Sequence, residues 1–481
     1  MTEFDTVIRN AVVGTAADLF SADIGITGGV VTALGRNLGP ARRDIDAAGR
    51  WVLPGGIDTH CHLDQPMRTG VTLADDFLSG TISAAHGGTT TIVPFAAQVH
   101  GSGVRAAVDD YHRRAAGKPV IDYAFHLIVS DPTEAVLRDE LPGLIREGYT
   151  SFKIYMTYEM LKLNDRQIIA VLAVARREGA LVMVHAENSD CIAWLTEQFE
   201  AAGQTAPYYH ALSRPLAVER EGTHRAITMA EIVDVPILLV HVSGAEAVEQ
   251  IRWAQGRGLR IYAETCPQYL VLTADDLKAP GFEGAKFVCS PPPRDAQSQQ
   301  AVWNGLASGV FHTFSSDHSP FRFDDPAGKK RFGADAPFTK IPNGVPGIET
   351  RLPILLSEGV HQGRIDLATF VRLTATNPAK MYGLYPRKGT IAVGSDADVV
   401  IWDQDRDVTI TNDMLHHNCD YTPYEGMRLR GWPAVVLSRG EVVVEEDKLL
   451  AEPGQGQFVR CDRPAVVRPR ARTTAEPPVK R

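Results

Sequence analysis

Apolar and polar positions change rhythm twice along the chain. The first fifty residues and a late stretch, 388–445, alternate with a period of two; between them, short apolar runs are separated by helical spacing. Residues 6–13 (TVIRNAVV) predict a strand. Residues 23–27 and 30–34 flank Gly28-Gly29, a two-residue hairpin signal. The segments 388–403 (KGTIAVGSDADVVIWD) and 435–445 (VVLSRGEVVVE) repeat this pattern. Neither end is large enough to stand alone. Together, residues 1–53 and 386–452 are expected to form one small β-sandwich domain.

Residues 54–385 read differently. Asp165 is a candidate N-cap, Ile168, Ile169 and Leu172 recur on a helical face, and Gly179 stops the helix. Then comes Leu181-Val-Met-Val-His185, apolar on both faces as a buried parallel strand is. The same grammar returns at Ile237-Leu-Leu-Val-His241. Repeated strand–loop–helix units over some 330 residues predict an α/β fold, a (β/α)8 barrel rather than an open sheet. The chain shows no repeat with a solenoid period.

Composition narrows the class. With 481 residues, 44% hydrophobic and 22% charged, the chain is neither disordered nor a disulfide scaffold, and needs no staple to fold. No stretch approaches the ~18 apolar residues of a membrane span. The N-terminus, MTEFDTVIRN, lacks a basic region followed by an apolar one, so export is not expected. Six scattered cysteines with no CxxC pair fit reduced thiols, hence a cytoplasmic setting. A net charge of −9 argues against nucleic acid as a partner. The segment 460–481 nevertheless holds seven Lys/Arg against two acids, with four prolines. Residues 453–481 are therefore expected to be an extended tail, either loosely ordered or lying on an acidic neighbouring subunit.

Candidate chemistry sits where the apolar runs end. Residues 51–59 lead into His60-Cys61-His62, and positions i and i+2 of a strand share a face. Residues 150–152 end in Lys153, two further runs end in His185 and His241, and 313–316 (TFSS) ends in Asp317. Barrel sites collect at that end of the strands. Four imidazoles and a carboxylate suit a pair of divalent cations, zinc foremost. Lysine is the odd member, because an ammonium cannot ligate a cation. As a carbamate it becomes an anionic bridge: two dications, carbamate, Asp317 and hydroxide leave about +1, where a free lysine would leave about two charges more. Singly, each residue has a plainer reading: a core histidine, a turn aspartate, a salt-bridge lysine. It is the ordered set that points to a metal site. No GxGxxG or Walker loop is present.

The motifs GGIDTHCHLD (55–64), GGTTTIVPF (87–95), SFKIYMTY (151–158), VMVHAEN (182–188), LLVHVSGAEAV (238–248), ETCPQYL (264–270), CSPPPRD (289–295), SSDHSP (315–320), PNGVPGIETRLP (342–353), NPAKMYGLYPRKGTIAVGSDADVVIWD (377–403) and YTPYEGM (421–427) span nearly the whole chain to about 460. They resemble the dihydropyrimidinase/hydantoinase family of cyclic amidases, within the amidohydrolase superfamily. That resemblance implies His60, His62 and Asp317 on a first metal, His185 and His241 on a second, and a carboxylated Lys153 between them. It implies Tyr158 as donor to the developing oxyanion and Asp317 as proton shuttle from water to the departing ring nitrogen. Ser290 and Asn343 match residues that hold a cyclic ureide through backbone groups. The implied reaction is hydrolysis of a ring amide in a 5,6-dihydropyrimidine or hydantoin to an N-carbamoyl amino acid, as in pyrimidine catabolism, by a homotetramer or homodimer.

Other readings are an allantoinase or dihydroorotase, or a scaffold relative without activity. Scaffolds lose ligands and all six positions are filled here; no arginine directly follows His62 to read a carboxylate. The chain departs from the family at Cys61, where threonine is common, and near Lys162, where many hydantoinases carry a bulky apolar residue. A lysine there leads to the expectation that bulky aromatic 5-substituents are disfavoured.

Overall fold

The computed structural model describes residues 3–67 and 70–468. Both chain ends enter one nine-stranded sheet. The link is the strand Trp51–Pro54, parallel to Phe4–Gly14 on one side and antiparallel to Val399–Thr409 on the other. Side chains from both halves, including Ile8, Ile24, Val52, Val399 and Leu437, share a single core, so the part is sandwich-like. Gly28 and Gly29 both take positive φ, 61° and 78°, as the tight hairpin between Leu19–Thr27 and Val30–Gly35 requires.

The apolar run 51–59 does not stay in one sheet. Pro54-Gly55 breaks it, and Gly56–Asp58 crosses into the second, parallel α/β part. There, Gly56–Asp58, Thr89–Ile92 and Asp122–Tyr123 pair in parallel. A second parallel set runs Phe95–Ala97, His126–Ile128, Ser151–Tyr155, Leu181–His185, Ile237–Leu239, Ile261–Thr265, Thr313–Phe314. Nearly every residue in these strands is buried, because helices such as Asp165–Glu178 and Leu216–Val233 cover them. Asn164, not Asp165, caps the first of those helices: its side chain accepts from the Gln167 N–H, and the Gln167 side chain accepts from the Asn164 N–H. Gly179 ends it with φ 80°.

Two contacts tie the parts together at the end away from the candidate site. The buried Lys388 ammonium lies 2.7 Å from Asp122, 2.6 Å from Asp398 and 3.0 Å from Asp396. Residues 453–468 then run over the α/β part. They are bound to it, with a 3-10 turn at Ala465–Val467: Gly456 donates to Pro119, Val459 to Tyr123 and Cys461 to Gly148. The Phe458 ring packs on Tyr123, Phe125, His112 and Tyr149. The rest of the tail, 469–481, lies outside the described residues.

Candidate functional site

At one end of the parallel strands, the six expected ligands converge. His60 Nε2 is 3.1 Å and His62 Nε2 3.5 Å from Asp317 Oδ1. Lys153 Nζ is 2.6 Å from His60 Nε2. His241 Nε2 is 2.9 Å from His185 Nδ1. The ligand atoms of His60, His241 and Asp317 all lie within 4.8 Å of one another. Lys153 sits in the middle of Ser151–Tyr155 rather than at the end, so the strand carries two residues beyond it.

The loops that bring these groups together are cross-linked. His62 N–H donates to His318 O, Ser316 N–H to Asp58 Oδ1 and Ser316 Oγ to His60 O. Tyr158, His241 and Asp317 adopt φ of 66°, 40° and 48°, left-handed values that cost an L-residue roughly 1–3 kcal/mol each. Such strain clusters where the surrounding structure fixes a functional geometry.

Electrostatics follow from burial. Loss of water pushes the Lys153 ammonium down to about 8, against the pull of Asp317 and Glu264. Burial pushes His62 down to about 4, and His185 and His241 down as well, so these imidazoles are neutral. Burial alone would raise Asp317, but the His60 charge and bonds from His60 and His62 hold it well below the usual carboxylate range. It is therefore an anion among imidazole nitrogens. The Nδ1 of His241 is buried without a hydrogen-bond partner among the described residues. Two imidazole nitrogens facing each other, a partnerless third and one carboxylate form a donor set that fits divalent cations.

Three of the imidazoles are held from behind by residues that the sequence did not single out. Glu264 Oε1 is 2.6 Å from His60 Nδ1, Gln65 Oε1 2.7 Å from His62 Nδ1, and Glu187 Oε2 2.7 Å from His185 Nε2. Glu187 in turn accepts from Arg214 at 3.0 Å. Glu264 opens the motif ETCPQYL and Glu187 stands two residues after His185, so the only signals were an acid within a strand-end motif.

The ligands open onto a cleft of about 750 Å³ whose lining includes Tyr158, Ser290 and Asn343. Burial pushes the Tyr158 hydroxyl up to about 12, despite the Arg214 cation beside its ring, so it stays protonated and can donate. His318 packs behind Asp317, bonded to Asp75 at 3.1 Å. Cys61 is fully buried in the core.

One expectation is corrected. Lys162 does not face the cleft: its ammonium is 2.7 Å from Glu159 and 3.8 Å from Asp190. The Leu161 and Lys162 N–H groups both donate to Tyr158 O, a turn that directs Met160 and Leu161 to the cleft and Lys162 outward. The rim there is apolar, with Met67, Met160 and Phe332 at least 40% exposed. The ground for disfavouring bulky aromatic 5-substituents is thereby removed.

Comparison with known proteins agrees with this geometry. Residues 51–443 match the family model described as the amidohydrolase family. The chain is 47% identical over 457 residues to a D-hydantoinase of Ralstonia pickettii, covering 95% of this chain and 98% of the relative. It is 48% identical to a D-hydantoinase of Geobacillus stearothermophilus, covering 94% and 96%. A crystal structure of dihydropyrimidinase from Brevibacillus agri NCHU1002 superposes with a TM-score of 0.93 at 46% identity, covering 96% of this chain and all of that one. With its ligand-bearing strand ends and these near full-length relatives, the chain belongs to the amidohydrolase family, in its hydantoinase and dihydropyrimidinase branch.

Proposed function

We propose that the protein hydrolyses the ring amide of hydantoins or 5,6-dihydropyrimidines, giving N-carbamoyl amino acids. The observation that carries the reading is the convergence of His60, His62, Lys153, His185, His241 and Asp317 beside Tyr158. We infer that the two parallel strand sets close into a (β/α)8 barrel. In support, Cys61 bridges to His318, and Arg351 reaches both Phe314 O and Ile57 O, joining the first strand to the last.

His60, His62 and Asp317 would hold one divalent cation, His185 and His241 a second, with Lys153 carboxylated between them. Zinc is the cation that this nitrogen-rich set favours. Bound there, such cations lower the pKa of water and polarise a carbonyl oxygen. Tyr158 donates its hydroxyl proton in a hydrogen bond to the carbonyl oxygen as negative charge develops. Asp317 takes a proton from the attacking water and delivers it to the ring nitrogen, which leaves poorly unless protonated. Ser290 and Asn343 hold the ureide through their backbone groups. By pushing the Lys153 ammonium down to about 8, burial raises the share of neutral amine, the form able to add CO2.

The D-hydantoinase names of the relatives support D-selectivity. Six unpaired cysteines support a reducing, cytoplasmic setting. Exposed Trp194, Ile232 and Trp253 support assembly as a homotetramer or homodimer. Among the described residues, no helix is long and apolar enough to cross a membrane. No arginine appears among the described residues lining the cleft, which favours uncharged ureides over dihydroorotate.

A panel of dihydrouracil, dihydrothymine, hydantoin, allantoin and dihydroorotate, scored by ring opening, tests the assignment. Opening of hydantoin or the dihydropyrimidines first is the expected result. Exclusive opening of allantoin or dihydroorotate would move the protein to another cyclic amidase class.

A further inference from the structure

We propose that Lys329 is a positioning residue that aims the backbone of Asn343 and of the Cys289-Ser290 segment at the substrate ring. It pins three carbonyl groups with one buried ammonium. The inference rests on the reading of Ser290 and Asn343 as the residues that hold the ureide.

Lys329 is fully buried and absent from the cleft lining. Its Nζ donates to Val288 O at 2.9 Å, Pro342 O at 2.8 Å and Gly344 O at 2.7 Å. An ammonium carries three donors, so all three are used. Among the described residues, no carboxylate lies within ion-pair distance of it. Facing it are the Cys289 and Cys419 thiols, the His210 imidazole and, 6.0 Å away, the Phe321 ring. A buried cation without a counter-charge is costly, and carbonyl dipoles alone compensate it here.

What the cation holds is the reason to connect it with substrate. Two of the three carbonyls flank Asn343. The peptide between Pro342 and Asn343 is trans, so its C=O and N–H point in opposite directions. With the carbonyl fixed on Lys329, the Asn343 N–H is fixed pointing away from it. The third carbonyl, Val288 O, also accepts from the Gly344 N–H at 3.0 Å. It belongs to the peptide that leads into Cys289-Ser290. Both ureide-holding segments are thus hung from one nitrogen. Gly344 itself takes φ 151° and sits against Ser319, where a Cβ would clash, so the loop is closely packed on that side as well.

Grip on the substrate that is equal in ground and transition states appears in KM and leaves kcat alone. The test compares wild-type full-length holoenzyme with Lys329→Met and Lys329→Gln, using hydantoin and dihydrouracil. Each is read for kcat, KM and metal content. A rise in KM of about tenfold in Lys329→Met is expected, with a smaller rise in Lys329→Gln, which keeps an amide donor. Metal content is expected to be unchanged and kcat to stay within about threefold. Unchanged KM in a folded variant overturns the proposal, as does parallel loss of metal and kcat. Failure of both variants to fold assigns Lys329 to folding and overturns it too. A wild-type protein that opens neither ring overturns the functional reading and this one with it, whereas an active wild type beside unaffected variants overturns this one alone.

Discussion

Glu264 Oε1 lies 2.6 Å from Nδ1 of His60, and both side chains are fully buried. A carboxylate in that position fixes which imidazole nitrogen carries the proton, leaving Nε2 free to ligate, and makes it a stronger donor. Glu264→Gln keeps the shape and removes the charge. It is expected to weaken metal binding by about 10–100-fold, with activity restored by excess metal. Metal titration of the apoprotein checks this; an unchanged affinity would mean that Glu264 does not orient His60.

The ion cluster at the opposite end predicts a stability effect without a catalytic one. Lys388 is 1% exposed and faces three carboxylates, of Asp122, Asp396 and Asp398. Lys388→Met leaves the buried Asp122 and Asp398 without their ammonium, with Arg439 still beside Asp122 and Arg387 beside Asp396. A loss of about 3–5 kcal/mol is expected, seen as a lower unfolding midpoint, with kcat of the folded fraction intact. A midpoint equal to wild type would show that the cluster contributes nothing net.

Buried histidines away from the ligand set predict the acid limb of stability. Burial pushes His210 down to about 3 and His312 and His417 to about 4, from an ordinary 6.5. The unfolded chain therefore binds more protons than the folded one below about pH 6.5, and stability rises with pH there. Their contribution is fully present above about 6.5 and is lost as pH falls towards about 4. Unfolding midpoints measured between pH 7 and pH 4 are expected to drop steadily, and His312→Gln to flatten that slope. A midpoint independent of pH over this range would contradict it.

The apolar rim predicts which ring substituents are accepted. Leu161 and Phe332 border the cleft that the ligands open into. Leu161→Ser and Phe332→Ser are each expected to lower kcat/KM for a 5-phenyl or 5-benzyl hydantoin by about tenfold, consistent with ~1–3 kcal/mol for a lost apolar contact, and to leave dihydrouracil nearly unchanged. An equal loss for both substrates would place these residues in support of the loop rather than in contact with the substituent.

The parallel strands were legible because burial on both faces writes a continuous apolar run, and the proposed ligands because apolar runs lead into an imidazole, lysine or aspartate, although Lys153 lies within its strand rather than at its end. His60, Lys153, His185, His241 and Asp317 could be found in this way. Glu264 could not: it lies 204 residues from His60, and one acid among 58 carries no mark of its partner. Lys329 was hidden for the same reason, since its partners are backbone carbonyls, which every residue has. Lys162 was misread because side-chain direction in the turn after Tyr158 depends on a left-handed φ at a tyrosine, which residue type does not announce. The split of the 51–59 run between two sheets was written in Pro54-Gly55, but only pairing partners reveal where each half goes.

The central claim is that six side chains hold two cations bridged by a modified lysine. Anomalous diffraction from crystals of the protein as purified, recorded at the zinc edge, tests it most directly. Two peaks are expected, one beside His60, His62 and Asp317 and one beside His185 and His241, with electron density continuing from Lys153 Nζ to both. No peak in metal-replete crystals, or a single peak beside an unmodified Lys153, would contradict it.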